Sequence, residues 1–385
     1  MPWEETTRMT QRVRFISDLD SCLYTMTELC ERYGISRQTG YKWSQRYVEE
    51  GVEGLEDRSR APKSCSHGTS QEVSDQLLAL RRSHPTWGPR KLLAWLRKRD
   101  SETSWPAAST VGGLLKRHGL VEPRARPRRP WPASGRPSVQ AEAANQVWSM
   151  DFKGQFRTGD GRMCYPLTVA DGYSRFLLGV TGLETVSESL AWPVLERLFQ
   201  QYGLPAAIRT DNGSPFAAIR AVARLSHLSV RWLKLGIRLD RIEPGHPEQN
   251  GRHERMHRTL KQETARPPAE SRSAQQERFD QFRRVYNEQR PHEALAFQTP
   301  AEFYHPSCRP YPSQIANPQY PGHFEVRSVR HTGEIKWQGK SLFLSEALRG
   351  EQVGLEESAD GVWGVYFGSL LLARFDEKER KLYGG

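Results

Sequence analysis

A segment rich in proline and arginine, VEPRARPRRPWPASGRPSV at residues 121–139, separates two parts of the sequence that differ in hydrophobic pattern. Proline fixes φ and removes a backbone donor, so this segment cannot continue a helix or the interior of a sheet. The chain is therefore predicted to be multidomain, with a linker over 123–144. An extended basic linker can run along a nucleic-acid backbone with its arginines in contact with phosphates. The alternative is a solubilising spacer, which would have the same composition. Four of its arginines are the candidate phosphate contacts: Arg124, Arg126, Arg128 and Arg129.

The charge balance favours a polyanionic partner. The 385 residues include 56 Lys and Arg against 45 Asp and Glu, a formal net charge of +11 at pH 7. Nucleic acid is favoured over a membrane, because no apolar run is long enough to span a bilayer. The 5 cysteines include no C-x-x-C pair, which indicates a reducing compartment rather than a disulfide framework or a zinc site. With no apolar stretch in the N-terminal MPWEETTRMTQ, the protein is predicted to act in the cytoplasm.

Residues 25–51, TMTELCERYGISRQTGYKWSQRYVEEG, have the pattern of two short helices joined by a glycine turn. Thr27 is predicted to cap the first helix and Ser36 the second. A basic second helix of this kind enters the major groove of DNA in helix-turn-helix proteins, so residues 1–60 are predicted to be a DNA-binding domain. The alternative is an ordinary helical hairpin with a solvated cationic face. The candidate DNA contacts of the second helix are Arg37, Lys42 and Arg46.

A second helical module is predicted over residues 61–122. Leucines recur at helical spacing in SQEVSDQLLALRRSHPTWGPRKLLAWLRKR, on both sides of a break at Pro85–Pro89, and a third helix follows in STVGGLLKRHGL. This pattern again favours a helix-turn-helix-like fold. We interpret Trp87 and Trp95 as core residues rather than as platforms on which bases stack.

From residue 145 the pattern changes to alternating strands and helices. The strand-like segments are QVWSMDFKGQF, MCYPLTVADGYSRFLLGVTGL and LPAAIRTDNG, and ESLAWPVLERLFQQYG has the spacing of an amphipathic helix. Further helices are expected at 215–235, from Asn250 and at 275–290. The pattern predicts an α/β domain with a mixed sheet over residues 145–265.

The remaining sequence completes a chain of several domains. Residues 266–318 are predicted to form a helical extension of the α/β domain. Over residues 319–385, short β-rich runs alternate with glycine-containing turns, which favours a small antiparallel β-barrel.

Three carboxylates stand where strands and a helix could bring them together. Asp151 ends the strand-like VWSMD, Asp211 follows another strand in RTDNG, and Glu254 lies on the helix after EPGHPEQNG. One aspartate at a strand end is most often a turn former, but three carboxylates that converge would repel each other unless they bound cations. Two Mg²⁺ ions held this way, or Mn²⁺ in their place, serve in-line chemistry at phosphodiesters. Asn212 would bond its own backbone and Gly213 would supply φ freedom, so that the chain turns away from the metals.

Glu254 shares its predicted helix with several cations. In NGRHERMHRTLK it is spaced at helical intervals from His257, Arg258 and Lys261, so one face would present the carboxylate with groups suited to phosphate. Arg258 and Lys261 are therefore candidate DNA contacts. The alternative is a surface Glu–Arg pair with little effect on stability. Glu248 is the weaker candidate ligand, because a loop holds a carboxylate only at an entropic cost.

Several motifs between residues 140 and 306 resemble the integrase core of bacterial insertion-sequence transposases, which are relatives of retroviral integrases. In order, they are WSMDFKG, VADGYSRF, RTDNGSPF, PGHPEQNGRHERMHRTLK and YNEQRPHEALAFQTPAEFY. The resemblance implies an RNase H-like fold and a DDE triad of Asp151, Asp211 and Glu254. It also implies cleavage of DNA 3′ ends and strand transfer within a multimer that holds two element ends.

The sequence therefore predicts a DNA transposase that cleaves 3′ ends and joins them to target DNA by metal-dependent hydrolysis and transesterification. Its partners would be double-stranded DNA, as terminal inverted repeats and as target, and further copies of the chain, at least a dimer on paired ends. The alternative is a catalytically inactive, transposase-derived DNA-binding protein, which the intact set of three carboxylates disfavours. A structure-specific nuclease is disfavoured because it does not require two helix-turn-helix modules.

Overall fold

A computed structural model describes residues 7–58, 68–121, 140–152, 154–218, 222–243, 247–379 and 381–384. The chain divides into two units, Met1–Gly68 and Thr69–Gly385. The four linker arginines predicted to contact DNA lie outside the described residues. No helix in the described ranges is both long and apolar enough to cross a membrane.

The first unit is a three-helix bundle that contains the predicted helix-turn-helix. Its elements are α1 (Arg8–Asp20), α2 (Met26–Arg32), α3 (Arg37–Glu50) and a 3-10 turn (Gly51–Leu55). Ser36 caps α3 as predicted, its hydroxyl accepting the Thr39 amide. The prediction that Thr27 caps α2 is wrong, because Thr25 and Glu28 form a capping box there and bond each other's backbone amides.

Close contact between α2 and α3 depends on a glycine. A Cβ atom on Gly40 would lie 2.7 Å from Cys30 Sγ and 3.2 Å from Phe15 Cζ, so a larger residue would push the helices apart. The core of the unit is built from apolar side chains of all three helices and the 3-10 turn, namely Phe15, Ile16, Leu29, Cys30, Trp43 and Leu55.

The second unit begins with the second helical module, which consists of α4 (Gln71–Ser83), α5 (Pro89–Arg99) and α6 (Ala108–Arg117). The break at Pro85–Pro89 is confirmed, since α4 ends before it and α5 starts with Pro89 at its first position. Trp87 is buried in the core of this module. Trp95 is partly buried against the same core, with the Arg99 guanidinium 3.4 Å above its ring.

The central domain is a mixed sheet covered by helices on both faces. Its elements are β1 (Val147–Phe152), β2 (Phe156–Arg157), β3 (Met163–Asp171), β4 (Leu177–Leu183), α7 (Glu188–Tyr202), β5 (Ala207–Thr210), α8 (His227–Lys234), β6 (Arg238–Arg241), α9 (Gly251–Thr264) and α10 (Arg272–Glu288). The strand order is β2-β3-β1-β5-β6, with β4 beside β3. The pairs β1–β5 and β5–β6 are parallel, whereas β1–β3 and β3–β4 are antiparallel. The predicted mixed sheet is confirmed.

Alternation along β1 determines what each face of the sheet contacts. Trp148 and Met150 point into the core formed with α7 and α8. Ser149, between them, points to the opposite face and meets His253 of α9. The helix predicted over 215–235 is shorter than expected, because Ser226 caps α8 by accepting the Ser229 amide.

The C-terminal region is an open antiparallel sheet with a separate hairpin. Its strands are β7 (Glu325–Ser328), β8 (Glu334–Trp337), β9 (Lys340–Phe343), β10 (Gln352–Ala359), β11 (Val362–Phe367), β12 (Leu370–Asp376) and β13 (Lys381–Gly384). The order is β13-β12-β11-β10-β7, and β8 pairs with β9 alone. The predicted barrel closure is wrong for the described strands. The sheet shares its apolar core with the hairpin, with Leu225 just before α8 and with Val230 on α8, so it is covered without closing on itself.

Candidate active site

Neighbouring parallel strands place Asp151 beside Asp211. The pairs of β1 and β5 are Val147 with Ala207, Trp148 with Ile208, and Ser149 with Arg209. Continued two residues beyond these pairs, the same register would set Asp151 opposite Asp211, the residue directly after β5. Because residues two apart share a face of a strand, Asp151 lies on the face of Ser149, which α9 covers.

The turn after β5 holds the Asp211 carboxylate. Asp211 Oδ1 accepts the Gly213 amide at 3.1 Å, and Asn212 Nδ2 donates to the Ile242 carbonyl at 2.7 Å. The predicted roles of the Asn-Gly pair are therefore wrong. Asn212 bonds the chain after β6 rather than its own backbone, and Gly213 has no left-handed φ. Glycine is favoured because a Cβ atom would lie 3.0 Å from Asp211 Oδ2.

Two buried histidines tie α9 to β1 and β3 through a single hydroxyl. Thr168 Oγ1 lies 2.7 Å from the Nε2 atoms of both His253 and His257. It also lies 3.0 Å from the carbonyl oxygen of Asp151, which can only accept, so Thr168 donates its proton there. Both imidazole Nε2 atoms must then donate to Thr168. His257 Nδ1 lies 3.6 Å from Asp151 Oδ2, and Ser149 Oγ meets His253 Nδ1 at 2.9 Å.

The faces of α9 correct one sequence prediction. His257 was expected on the phosphate-facing side with Glu254, but it is 1% exposed. The buried residues of α9 are His253, Met256, His257, Leu260 and Thr264, and the exposed ones include Glu254, Arg258 and Lys261. The sequence did contain the signal. Both histidines recur at helical spacing with the apolar Met256 and Leu260, which indicates a buried stripe.

The structure does not bring the three predicted carboxylates together into one metal site. Asp151 offers carboxylate oxygens that are partly open to solvent, its side chain being 25% exposed. The described residues contain no group of three His, Cys, Asp or Glu side chains placed to share a metal ion. Glu254 instead stands on the exposed side of the first turn of α9. Glu248 belongs to the 3-10 turn Pro247–Asn250 directly before that helix.

Asp171, the last residue of β3, fits either turn formation or metal binding by its place in the sequence. In the structure it is buried, and Oδ1 accepts the Asn145 amide at 2.8 Å. Oδ2 accepts the amide and the hydroxyl of Ser174 at 2.8 and 2.6 Å. These bonds are those of a turn former.

In the first unit, the predicted DNA contacts surround a tryptophan of α3. Lys42 Nζ and the Arg46 guanidinium lie 4.8 and 5.1 Å from the centre of the Trp43 ring. The charged groups themselves therefore contact the ring, with Lys42 exposed and Arg46 half-buried. Arg37, at the start of α3, is exposed. Sequence reasoning passed over Tyr41, which is 60% exposed one helical turn after Arg37.

Family models match most parts of the chain. An integrase core domain matches residues 141–247, and a second integrase core domain matches 235–300. A helix-turn-helix domain matches residues 11–63, and a homeodomain-like domain matches 39–115. The C-terminal domain of the IS481 family transposase matches residues 324–382.

This chain is similar to insertion-element proteins in sequence and to an integrase core domain in structure. The insertion element IS407 uncharacterized 31.7 kDa protein of Burkholderia multivorans is 26% identical over 239 residues, 61% of this chain and 81% of the relative. The transposase InsD for insertion element IS2D of Escherichia coli K12 is 27% identical over 251 residues, with 61% and 80% covered. The HTLV-2 integrase catalytic core domain in complex with magnesium (trimeric form) aligns with TM-score 0.34 and 15% identity, covering 43% of this chain and 99% of that chain.

The central sheet with its flanking helices is thus an integrase core. With helix-turn-helix domains before it and a transposase C-terminal domain after it, the chain has the domain composition of an insertion-sequence transposase. The resemblance and the fold class predicted from the sequence are confirmed, except for the closure of the barrel.

Proposed function

We propose that this protein cleaves DNA 3′ ends at the termini of a mobile element and joins them to target DNA. The observation that carries the proposal is the parallel pairing of β1 with β5, because Asp151 lies near the end of β1 and Asp211 directly follows β5. The two integrase core matches support this class of reaction, since together they span both aspartates and Glu254.

Asp151, Asp211 and Glu254 would hold two Mg²⁺ ions, or Mn²⁺ in their place. When bound, such ions activate a water or a sugar hydroxyl and stabilise the leaving oxygen of a phosphodiester. The chain itself orients two of the ligands. The carbonyl of Asp151 is held by Thr168, and the carboxylate of Asp211 is held by the Gly213 amide. The backbone of Asp151 and the carboxylate of Asp211 are therefore held before DNA binds.

Glu254 is the proposed third ligand, in preference to Glu248. A helix is a more rigid mount than the short turn Pro247–Asn250, and catalysis tolerates displacements of only about 0.5 Å in a ligand. Glu254→Gln should abolish cleavage and strand transfer, with end binding nearly unchanged. Incubating labelled end DNA with the purified protein and Mg²⁺ allows the cleaved and the joined products to be measured.

Two control variants make this test specific. Glu248→Gln should retain substantial activity, and Glu277→Gln, an exposed glutamate on α10, should behave as the unmodified protein. If Glu248→Gln lost activity and Glu254→Gln retained it, the third ligand would be Glu248 and not Glu254. The alternative function, DNA binding without catalysis, predicts that the unmodified protein binds ends and yields no cleaved or joined product.

We further propose that DNA contacts are shared by several segments and that the chain acts as at least a dimer. Arg37, Lys42 and Arg46 would contact the element ends, and Arg258 and Lys261, on the exposed side of α9, would contact phosphates near the carboxylates. The linker arginines would lie along the backbone. Joining two ends to one target requires two active sites in fixed relation. Light scattering should show at least two chains per complex with paired ends, and an active monomer on one end would contradict this.

A further inference from the structure

A cavity rich in arginine lies on the same face of the sheet as Asp151. It has a volume of about 330 Å³ and is bounded by β1, β3, the start of α9 and Tyr286 of α10. Three guanidinium groups line it, from Arg175 after β3, Arg209 on β5 and Arg252 on α9. Neither Asp151 nor Asp211 lines it, so it is adjacent to the carboxylate site and not part of it.

The positive charge of this cavity is only partly balanced. Arg209 is paired with Asp240, with N–O distances of 2.6 and 2.8 Å. Asp171, the acidic residue of the lining, uses its oxygens within its own turn. Arg252 donates one bond to the Gly172 carbonyl at 3.1 Å. The Nε atom of Arg175 is buried and has no hydrogen-bond partner among the described residues.

Leaving Arg175 in this state is energetically unfavourable. Burial, together with repulsion from Arg252, lowers the pKa of Arg175 to about 10. Burial and the neighbouring Arg209 also lower the pKa of Arg252. In addition, Arg175 has a left-handed backbone with φ of 67°, which is uncommon for a residue other than glycine. A buried donor without an acceptor, repelled by its neighbours and held in a strained conformation, is typical of a binding site.

We propose that this cavity binds a phosphodiester group close to the cut phosphodiester and on the same DNA strand. Arginine is suited to phosphate because its planar donors bind two oxygens at once. Ser149 and Arg209, which line the cavity, precede Asp151 and Asp211 by two residues on the same strands, roughly 7 Å along the sheet. A strand held at the carboxylates therefore passes the cavity. The choice of DNA as the source of the phosphate rests on the proposed function.

Inorganic phosphate tests the cavity without requiring any DNA reaction. Phosphate should raise the unfolding temperature of the full chain above that in chloride of equal ionic strength. In Arg252→Gln the apparent phosphate affinity should fall about 10-fold, the effect of removing a charge-assisted bond. Arg278→Gln is the matched control, an exposed arginine that also donates to one carbonyl, that of Pro267. Equal phosphate affinity in Arg252→Gln and the unmodified protein would overturn the site.

Arg175→Gln provides a second test of the cavity. If the variant folds, its apparent affinity for phosphate should fall as it does in Arg252→Gln. If it does not fold, the result for Arg252→Gln decides.

A neutral linkage in the DNA tests the source of the phosphate. End duplexes carrying one methylphosphonate, moved stepwise along the strand on either side of the cut, should show one position where affinity falls about 10-fold. A methylphosphonate at that position should not weaken the binding of Arg252→Gln, because this variant already lacks the arginine that contacts the charge removed from the DNA. If every position weakens both proteins equally, the cavity holds a free anion and the DNA assignment is wrong. These affinities are measured without Mg²⁺, so a protein that fails to cleave still gives a result.

Discussion

At the scale of single residues, the Thr168 hydroxyl is the point at which α9, β1 and β3 are joined. Thr168→Val keeps the shape of the side chain but leaves two buried imidazole N–H groups without their acceptor. A buried unsatisfied donor costs about 1–3 kcal/mol, so we expect a loss of roughly 2–4 kcal/mol in the free energy of unfolding. Urea denaturation of the full chain measures it.

The matched control for this prediction is Thr181→Val on β4, which is half-buried and should change stability much less. If both variants are equally stable, the hydroxyl does not hold the histidines. End cleavage should also fall in Thr168→Val, since the carbonyl of Asp151 loses the hydrogen bond from the Thr168 hydroxyl.

The strands that carry the two aspartates could be predicted from the sequence, whereas the hydrogen-bond network behind Asp151 could not. A carboxylate at the end of an apolar strand is visible as a pattern, and two such strands in a parallel sheet align their ends. His253 and His257 are polar, so polarity alone assigns them to the solvent side, and only their helical spacing with the apolar Met256 and Leu260 indicates burial. Which hydroxyl satisfies them depends on the pairing of β1 with β3, and this pairing is a tertiary contact.

At the scale of elements, the crossing of α2 and α3 depends on the missing side chain of Gly40. Gly40→Val would place carbon atoms where Cys30 Sγ and Phe15 now lie. Overpacking of this kind costs about 1–3 kcal/mol, and a β-branched residue also reduces helix propensity. Thermal unfolding of the first unit should shift downward, with Gly113→Val on α6, where no atom lies within 4 Å, as the less affected control.

An ion pair between α5 and the segment after α10 predicts a dependence on pH. Burial would raise the pKa of Glu302, but bonds from the Thr299 amide, Lys98 and the Thr299 hydroxyl outweigh it and lower the pKa to about 2 from its ordinary value of 4.5. A carboxylate whose pKa is lower in the folded state stabilises the fold above its unfolded pKa. This stability is lost as pH falls from about 4.5 to 2. The decline in urea midpoint over that range should be shallower in Glu302→Gln, and an unchanged slope would count against the role of Glu302.

The secondary-structure type of each C-terminal segment was easier to predict than whether the strands close into a barrel. The β-rich runs and glycine turns of the C-terminal region correctly predicted antiparallel strands. Closure into a barrel requires the first and last strands to pair, and local sequence does not encode that choice. Here the apolar faces of Val353, Leu355 and Val365 are covered by the hairpin and by residues beside α8. The sheet can therefore remain open.

At the scale of the whole molecule, we expect residues 1–139 to carry most of the affinity for element ends. If 6–10 phosphates are contacted, affinity should fall about 10³–10⁵-fold between 50 and 200 mM salt. Deletion of residues 1–68, the first of the two units, should remove α3 and with it the preference for end sequences. Binding titrations over a salt series measure both effects, and a chain of residues 69–385 that kept full specificity would contradict the assignment.

The hydrogen-bonded register of β1 with β5 also determines which changes of length this core can tolerate during evolution. The spacing of Asp151 from Asp211 in space is set by ladder bonds between Val147–Ser149 and Ala207–Arg209, and not by the number of residues in between. Loops joining β3, β4 and α7 can therefore lengthen or shorten while the aspartates stay side by side. One residue inserted between Ser149 and Asp151 would instead turn that carboxylate to the opposite face, into the core against α7. Divergent relatives of this chain should therefore vary in length between the two strands and keep both strand ends free of insertions.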